Sequence, residues 1–198
     1  MAKNKISKIT RQLQLYDTVF GVKYGAVYSP AELMDMYGIS LRMLQRDLKD
    51  LRDSGLINLK YHKASDKYLI AGSAVFDDTA GIRRKQHLIR LYRIGTLIHN
   101  LSNISSQEFE RYESGIQEFY EYLEDAKDDS PEDIEGMREF YIPKIEFHDL
   151  KAEYYALFPD SNERTRQRDF EEMCFAGFEI YYSRKYRSFI YIYPSDSY

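Results

Sequence analysis

Arginine suits the holding of a phosphate or a base edge, because its planar guanidinium presents several N–H donors in a fixed fork. This chain writes Gln-Arg-Asp twice, in LQRDLKDLRDSGLINLK from Leu44 and in RQRDFEEMCFAGFEIYY from Arg166. Arg46 to Arg168, Asp47 to Asp169 and Gly55 to Gly177 are each 122 positions apart. The acid after Arg46 is suited to an intraprotein pair that orients a basic side chain. Other chemistries lack their residues. His62, His87, His99 and His148 stand far apart, with no cysteine or acid at metal-ligand spacing. A Gly-rich phosphate loop, a nucleophile elbow and a kinase-like set are all missing. Cys174 lies in MCFAGF, at the apolar end of a helix, and reads as core. No cofactor, metal or enzymatic activity is expected.

The formal charge of −4 averages unlike parts. Residues 1–75 hold twelve Lys and Arg against seven Asp and Glu, residues 76–141 eight against fifteen, and residues 142–198 eight against ten. A positive excess in the first third is what a phosphate-facing surface requires. The acidic middle argues against the whole chain wrapping a polyanion. No apolar run nears the roughly 20 residues that span a bilayer. The start, MAKNKISKITRQ, lacks the apolar stretch of a signal peptide. One cysteine permits no intrachain disulfide, so a cytoplasmic protein with no membrane partner is expected.

Stepwise spacing supplies the elements that carry these residues. Ile6, Ile9, Leu13, Tyr16 and Phe20 recur every three or four positions, on one face of a first helix. Ala26 to Tyr28 suits a short strand. In SPAELMDMYG, Ser29 and Glu32 form a capping box, Pro30 suits the first helical turn, Leu33 and Met36 point inward, and Gly38 stops the helix. Ser40 caps a third helix, Leu41 to about Asp53, with Leu44, Leu48 and Leu51 inward. LINLKY and KYLIAG then form a hairpin around His62–Asp66. That order is a winged helix-turn-helix. After a linker at Gly72–Thr79, the spacing gives helices at Ile82–Leu101 and Ser106–Ala126. DAKDDSPEDIEG reads as a solvent loop. A helix at His148–Phe158, a capped helix from Asn162, and a hairpin around Arg184–Arg187 close the chain.

SLRMLQRDLKDLRDSGLI resembles the third helix and following strand of DeoR-like winged helices, the module also found in WYL-type bacterial regulators. Ser40, Arg46, Asp47, Leu48, Leu51 and Gly55 match the family pattern, while Met43 and Gln45 depart from its Thr and Arg. The resemblance covers about Ile6 to Ile70 and implies that the third helix reads the major groove of double-stranded DNA. Ser40, Arg42, Gln45, Arg46 and Lys49 then face the duplex, with Arg42 suited to guanine and Gln45 to adenine. Ser40 and the helix N-terminus can also hold a phosphate. Lys60, His62, Lys63 and Lys67 would lie on the wing, and Lys3, Lys5 and Lys8 on a phosphate- or minor-groove-binding arm. The plainer alternatives are solvated helix charges at Arg42 and Lys49, a structural Arg46–Asp47 pair, and a solubilising N-terminal tail.

The C-terminal copy keeps Arg164, Thr165, Arg168, Asp169, Phe170 and Gly177. Arg166 stands where Leu44 is inward, so either that helix is rotated or the position is exposed. Arg164, Arg166, Gln167, Arg184, Lys185 and Arg187 form a possible second DNA surface, with protein packing or dimerisation as the rival role. The expectation is therefore a mainly α protein with small β-hairpin wings (α+β), in tandem winged helix-turn-helix units. Residues 1–72 form the N-terminal DNA-binding domain, 73–141 a linker and helical connector, and 142–198 a divergent second unit. The first helix of that second unit would be Arg83–Leu101. The 198 residues leave no room for the effector domain that such regulators usually append. A homodimeric transcriptional regulator is expected. A plasmid or phage replication initiator and a winged-helix interaction adaptor are the alternatives.

Overall fold

Helical periodicity governs the chain, and the computed structural model, which describes residues 6–20, 27–101, 104–145 and 149–193, is mainly α with two small antiparallel hairpins. The chain divides into two compact units: Met1–Asn100 with Tyr154–Gly177, and Leu101–Glu153 with Phe178–Tyr198. These cut across the expected division at 72 and 141, because the helix of the C-terminal motif belongs to the first unit and its hairpin to the second.

The first unit is organised around α1 (Lys8–Phe20), whose burial exceeds one face. Ile9, Leu13 and Tyr16 are buried as their spacing predicts, and so are Thr10, Gln12, Leu15 and Val19. Ile6 is exposed. The extra burial follows from partners on several sides: α1 packs on α3 (Leu41–Asp53), α4 (Ile82–Asn100) and α8 (Glu163–Ala176). Before α3 comes α2 (Pro30–Tyr37), closed by its expected capping box. The Glu32 amide donates to Ser29 Oγ at 3.1 Å, and the Ser29 amide donates to Glu32 Oε2 at 2.6 Å. Gly38 ends α2 at φ 58°, a left-handed value that costs glycine nothing. Leu33 is fully buried, but Met36 is exposed, since an eight-residue helix with one packed side has room for little more. Strands β1 (Leu59–His62) and β2 (Lys67–Ile70) pair antiparallel from Leu59–Ile70 to His62–Lys67. Of the expected strand before α2, Ala26 lies outside the described residues. Tyr28 contributes one ladder-like bond, its carbonyl accepting from the Tyr68 amide at 2.8 Å. The stretch expected as a linker folds back on the end of α3, where the Asp77 amide donates to the Asp53 carbonyl at 2.8 Å.

In the second unit, α5 (Ser106–Asp125) packs on α6 (Pro131–Tyr141) and on a three-stranded sheet of order β3-β5-β4. Here β4 (Glu179–Ser183) and β5 (Ser188–Tyr193) form the expected hairpin, and β3 (Ile104–Ser105) adds in parallel to β5. Ile116 and Phe119 of α5 are buried with Ile190, Tyr191 and Ile192, whereas Tyr120 is exposed. Gly115 lets α5 meet the end of α6, since an added Cβ would stand 2.1 Å from the Tyr141 carbonyl oxygen. The acidic stretch read as a solvent loop is half helix. Ser130 accepts from the Asp133 amide at 3.2 Å with Pro131 in the first turn, which nucleates α6 despite the charge.

Candidate nucleic-acid interface

The face of α3 is set by its two sides. Leu44, Leu48 and Leu51 are buried, and beside them runs a second buried row, Asp47, Asp50 and Asp53, three residues apart. Burying carboxylates is costly unless each is matched by donors, and here each is. Asp47 receives Arg11 Nε at 2.7 Å, an Arg11 terminal nitrogen at 3.2 Å and Gln12 Nε2 at 2.9 Å. Asp50 receives Lys8 Nζ at 2.6 Å, Gln12 Nε2 at 3.0 Å and Arg84 at 3.1 Å. Asp53 receives Arg84 at 2.6 Å and Arg52. Gln12 is wholly buried and spends its amide donors on Asp47 and Asp50, so its carbonyl accepts from His87 Nε2–H at 2.9 Å. Burial raises the Asp50 carboxyl, but Lys8 and Gln12 more than offset it and hold it below its ordinary value. Burial, with the charge of Lys8, lowers His87. The partner of Asp47 is thus Arg11 on α1, not its neighbour Arg46.

With the acids anchored inward, the opposite side of α3 is left to solvent. Arg42, Gln45, Arg46 and Lys49 are all exposed, as their spacing predicts, and none has a side-chain hydrogen bond or ion pair among the described residues. Ser40 caps the helix by accepting from the Met43 amide at 3.4 Å. Beside this face runs a groove of about 500 Å³, where Lys8, Arg11, Arg46, Lys49 and Arg84 outnumber Asp47 and Asp50. Arg11 and Arg84 were not expected at the surface. Nothing in local sequence marks them, because they come from α1 and α4.

The remaining expected contacts separate into free and engaged groups. Lys60 and Lys63 are exposed on the first hairpin, whose turn is closed by Asp66 at φ 51°, and His62 is exposed with Nδ1 2.9 Å from Ser65 Oγ. Lys67 is engaged: its Nζ lies 3.1 Å from Glu32 Oε2 and ties β2 to α2. The Ser29 amide and Lys67 together hold Glu32 at about 2. Lys8 belongs to α1, not to an arm, and its half-exposed ammonium pairs with Asp50 at 2.6 Å. Lys3 and Lys5 lie outside the described residues.

The α8 helix repeats the inner pattern of α3 at the same offset. Asn162 accepts from the Thr165 amide at 2.9 Å as Ser40 does from Met43, and Gly177 ends the helix at φ 101°. Arg166, Asp169, Phe170 and Met173 are buried, as are Leu44, Asp47, Leu48 and Leu51. Asp169 is 1% exposed and held by Arg93, by Arg90 Nε at 3.3 Å and by Tyr154 Oη at 2.8 Å, the last from α7 (Leu150–Leu157). Burial, with the hydrogen bond to Asp169, pushes Tyr154 up to about 12. So α4 grips Asp169 as α1 grips Asp47. Glu172 stands 122 positions after Asp50 and receives Thr10, Ser7 at 2.6 Å and Arg90 at 3.1 Å.

Two expectations for α8 are corrected here, Arg166 on a second DNA surface and Cys174 in the core. Arg166 is only 2% exposed; its guanidinium lies over the Phe170 ring, 4.7 Å from the centroid, and bonds Glu163. The helix is not rotated and the position is not exposed, so Arg166 cannot meet DNA. Cys174 is exposed, because the inward row passes through Met173 and Ala176. The residue in place of Arg166 is Arg168, exposed with a partner-free side chain among the described residues. Applying the 122-residue offset to the outward positions of α3 would have found it. Arg164 and Gln167 are exposed as expected, Gln167 donating to Glu163 at 3.2 Å. On the second hairpin Arg184 and Arg187 are exposed, while Lys185 lies 4.0 Å from Glu113 and over the rings of Tyr112 and Tyr186.

No described helix is long and apolar enough to cross a membrane, and no cluster of three His, Cys, Asp or Glu among the described residues could hold a metal ion. No family model, curated protein or solved structure matches the chain.

Proposed function

We propose that this chain is a sequence-specific, double-stranded DNA-binding protein, a cytoplasmic transcriptional regulator built from tandem winged-helix units. The carrying observation is the outward row Arg42, Gln45, Arg46 and Lys49 on a capped helix whose acids are all turned inward and neutralised. A helix that contains three aspartates thereby presents only neutral and positive groups on one side. In the major groove Arg42 and Arg46 suit guanine or phosphate, Gln45 suits adenine, and Lys49 suits the backbone. The first hairpin follows as a wing, with Lys60 and Lys63 on phosphates. The work is binding, with no reaction catalysed. A replication initiator using two reading helices remains the second reading, favoured by the exposed Arg164, Gln167 and Arg168 of α8.

Salt titration tests this reading. By fluorescence anisotropy, the logarithm of the binding constant for a duplex should fall linearly with log salt, with a slope of roughly 0.9 per phosphate contact. Lys63→Ala should flatten that slope by about one and weaken all duplexes alike, whereas Arg42→Ala should relax sequence choice. A wild-type chain that binds no duplex in low salt removes the proposal.

A further inference from the structure

We infer that one chain reads two like DNA elements, one through α3 and one through α8. This rests on the duplex-reading function proposed above and extends it to the second helix. The inference follows from where the two copies agree. Of the buried pairs Leu44/Arg166, Asp47/Asp169, Leu48/Phe170 and Leu51/Met173, only the aspartates are identical. Of the six helix pairs exposed in both copies, Arg42/Arg164, Gln45/Gln167 and Arg46/Arg168 are identical, while Leu41/Glu163, Lys49/Glu171 and Arg52/Cys174 differ. Packing constrains buried positions and leaves solvent positions free to change. Here the buried side has been rebuilt around one aspartate while three solvent positions have stayed the same.

No contact among the described residues asks for that identity. Arg42, Arg46, Arg164 and Arg168 have no side-chain partner among the described residues, and Gln167 meets only the exposed Glu163. Spacings of three and four set each trio on one face of its helix. Both helices are capped just before the trio, by Ser40 and by Asn162. Matching side chains at matching depth from matching caps select the same donor and acceptor pattern on base edges. Both helices belong to one compact unit, and α1 and α4 each pack against both. A second reading helix, which winged-helix regulators commonly obtain from a second subunit, is therefore already supplied within the chain. The copies differ at Lys49, whose counterpart is Glu171, so the α8 element is held more weakly at the backbone.

The test is selection of duplexes from a random pool by the full-length chain and by two triple variants, with affinities measured on the winners. One variant carries Arg42→Ala, Gln45→Ala and Arg46→Ala; the other carries Arg164→Ala, Gln167→Ala and Arg168→Ala. All six residues are exposed, so unchanged thermal unfolding certifies the fold. Each variant should lose at least about tenfold in affinity, and both should still enrich the same core motif, the α3 variant binding more weakly. An α8 variant that matches wild type in affinity, motif and salt slope overturns the inference and leaves the proposed function standing. An α3 variant that enriches a different motif also overturns it. A wild-type chain that enriches nothing removes the proposed function itself.

Discussion

The helices α3 and α8 share one burial pattern and differ in what fills it. Where α3 buries Leu44, α8 buries Arg166 against Phe170 and Glu163. Where α3 meets Lys8, Gln12 and Arg84 through Asp50, α8 meets Ser7, Thr10 and Arg90 through Glu172. The one inner side chain they share, Asp47 and Asp169, takes an arginine from a neighbouring helix in both. The difference teaches that the anchor of such a helix is a specific ion pair, while its apolar filling can be exchanged, even for a guanidinium, once that charge is matched.

Removing the shared anchor should cost most. Asp47→Ala and Asp169→Ala each strand a part-buried arginine, and each should lose about 3–5 kcal/mol in urea unfolding. A loss at one site only would break the equivalence of the two helices. Next comes the position where they differ. Leu44→Ala should lose about 2–5 kcal/mol, whereas Arg166→Leu should be near neutral or stabilising. Its partner Glu163 is half exposed and is not stranded when the guanidinium goes.

A smaller effect separates the anchors by pH. His87 and Asp50 both lie below their ordinary values in the folded chain. The unfolded chain therefore binds more protons, and stability rises with pH. The His87 contribution is complete above about pH 6.5 and is lost as pH falls through its lowered value; that of Asp50 follows below about pH 3.9. No histidine bonds Glu172 or Asp169 among the described contacts. Amide exchange should thus speed up at Leu48 and Leu51 between pH 7 and 5, after correction for intrinsic rates, before it does at Met173. Equal change in both helices would contradict the contrast. Least in magnitude, Lys49→Glu should steal about one unit of salt slope from duplex binding and Glu171→Lys should add about one.

The local signals were legible because they act within one turn of chain. Ser29 with Glu32, Ser40 with Met43, and Asn162 with Thr165 are caps that the residues themselves announce, and Gly38, Gly55 and Gly177 adopt the positive φ expected of helix stops. The outward face of α3 followed from the same periodicity. What periodicity cannot encode is the partner across space. Asp50 and Asp53 look like surface charge until Lys8 and Arg84 arrive from other helices. For the same reason Arg166 looks exposed although Phe170 and Glu163 enclose it. At α6, acidic composition outweighed a cap at Ser130 that was visible three residues ahead of Asp133.

The most direct test of where DNA binds is a titration of isotopically labelled chain with a selected duplex, followed by amide chemical shifts. The account predicts that the largest changes fall at Ser40 to Lys49 and at Asn162 to Arg168, with smaller ones at Lys60 to Lys63. Changes confined to α5 and α6, or none at saturating duplex, would contradict it.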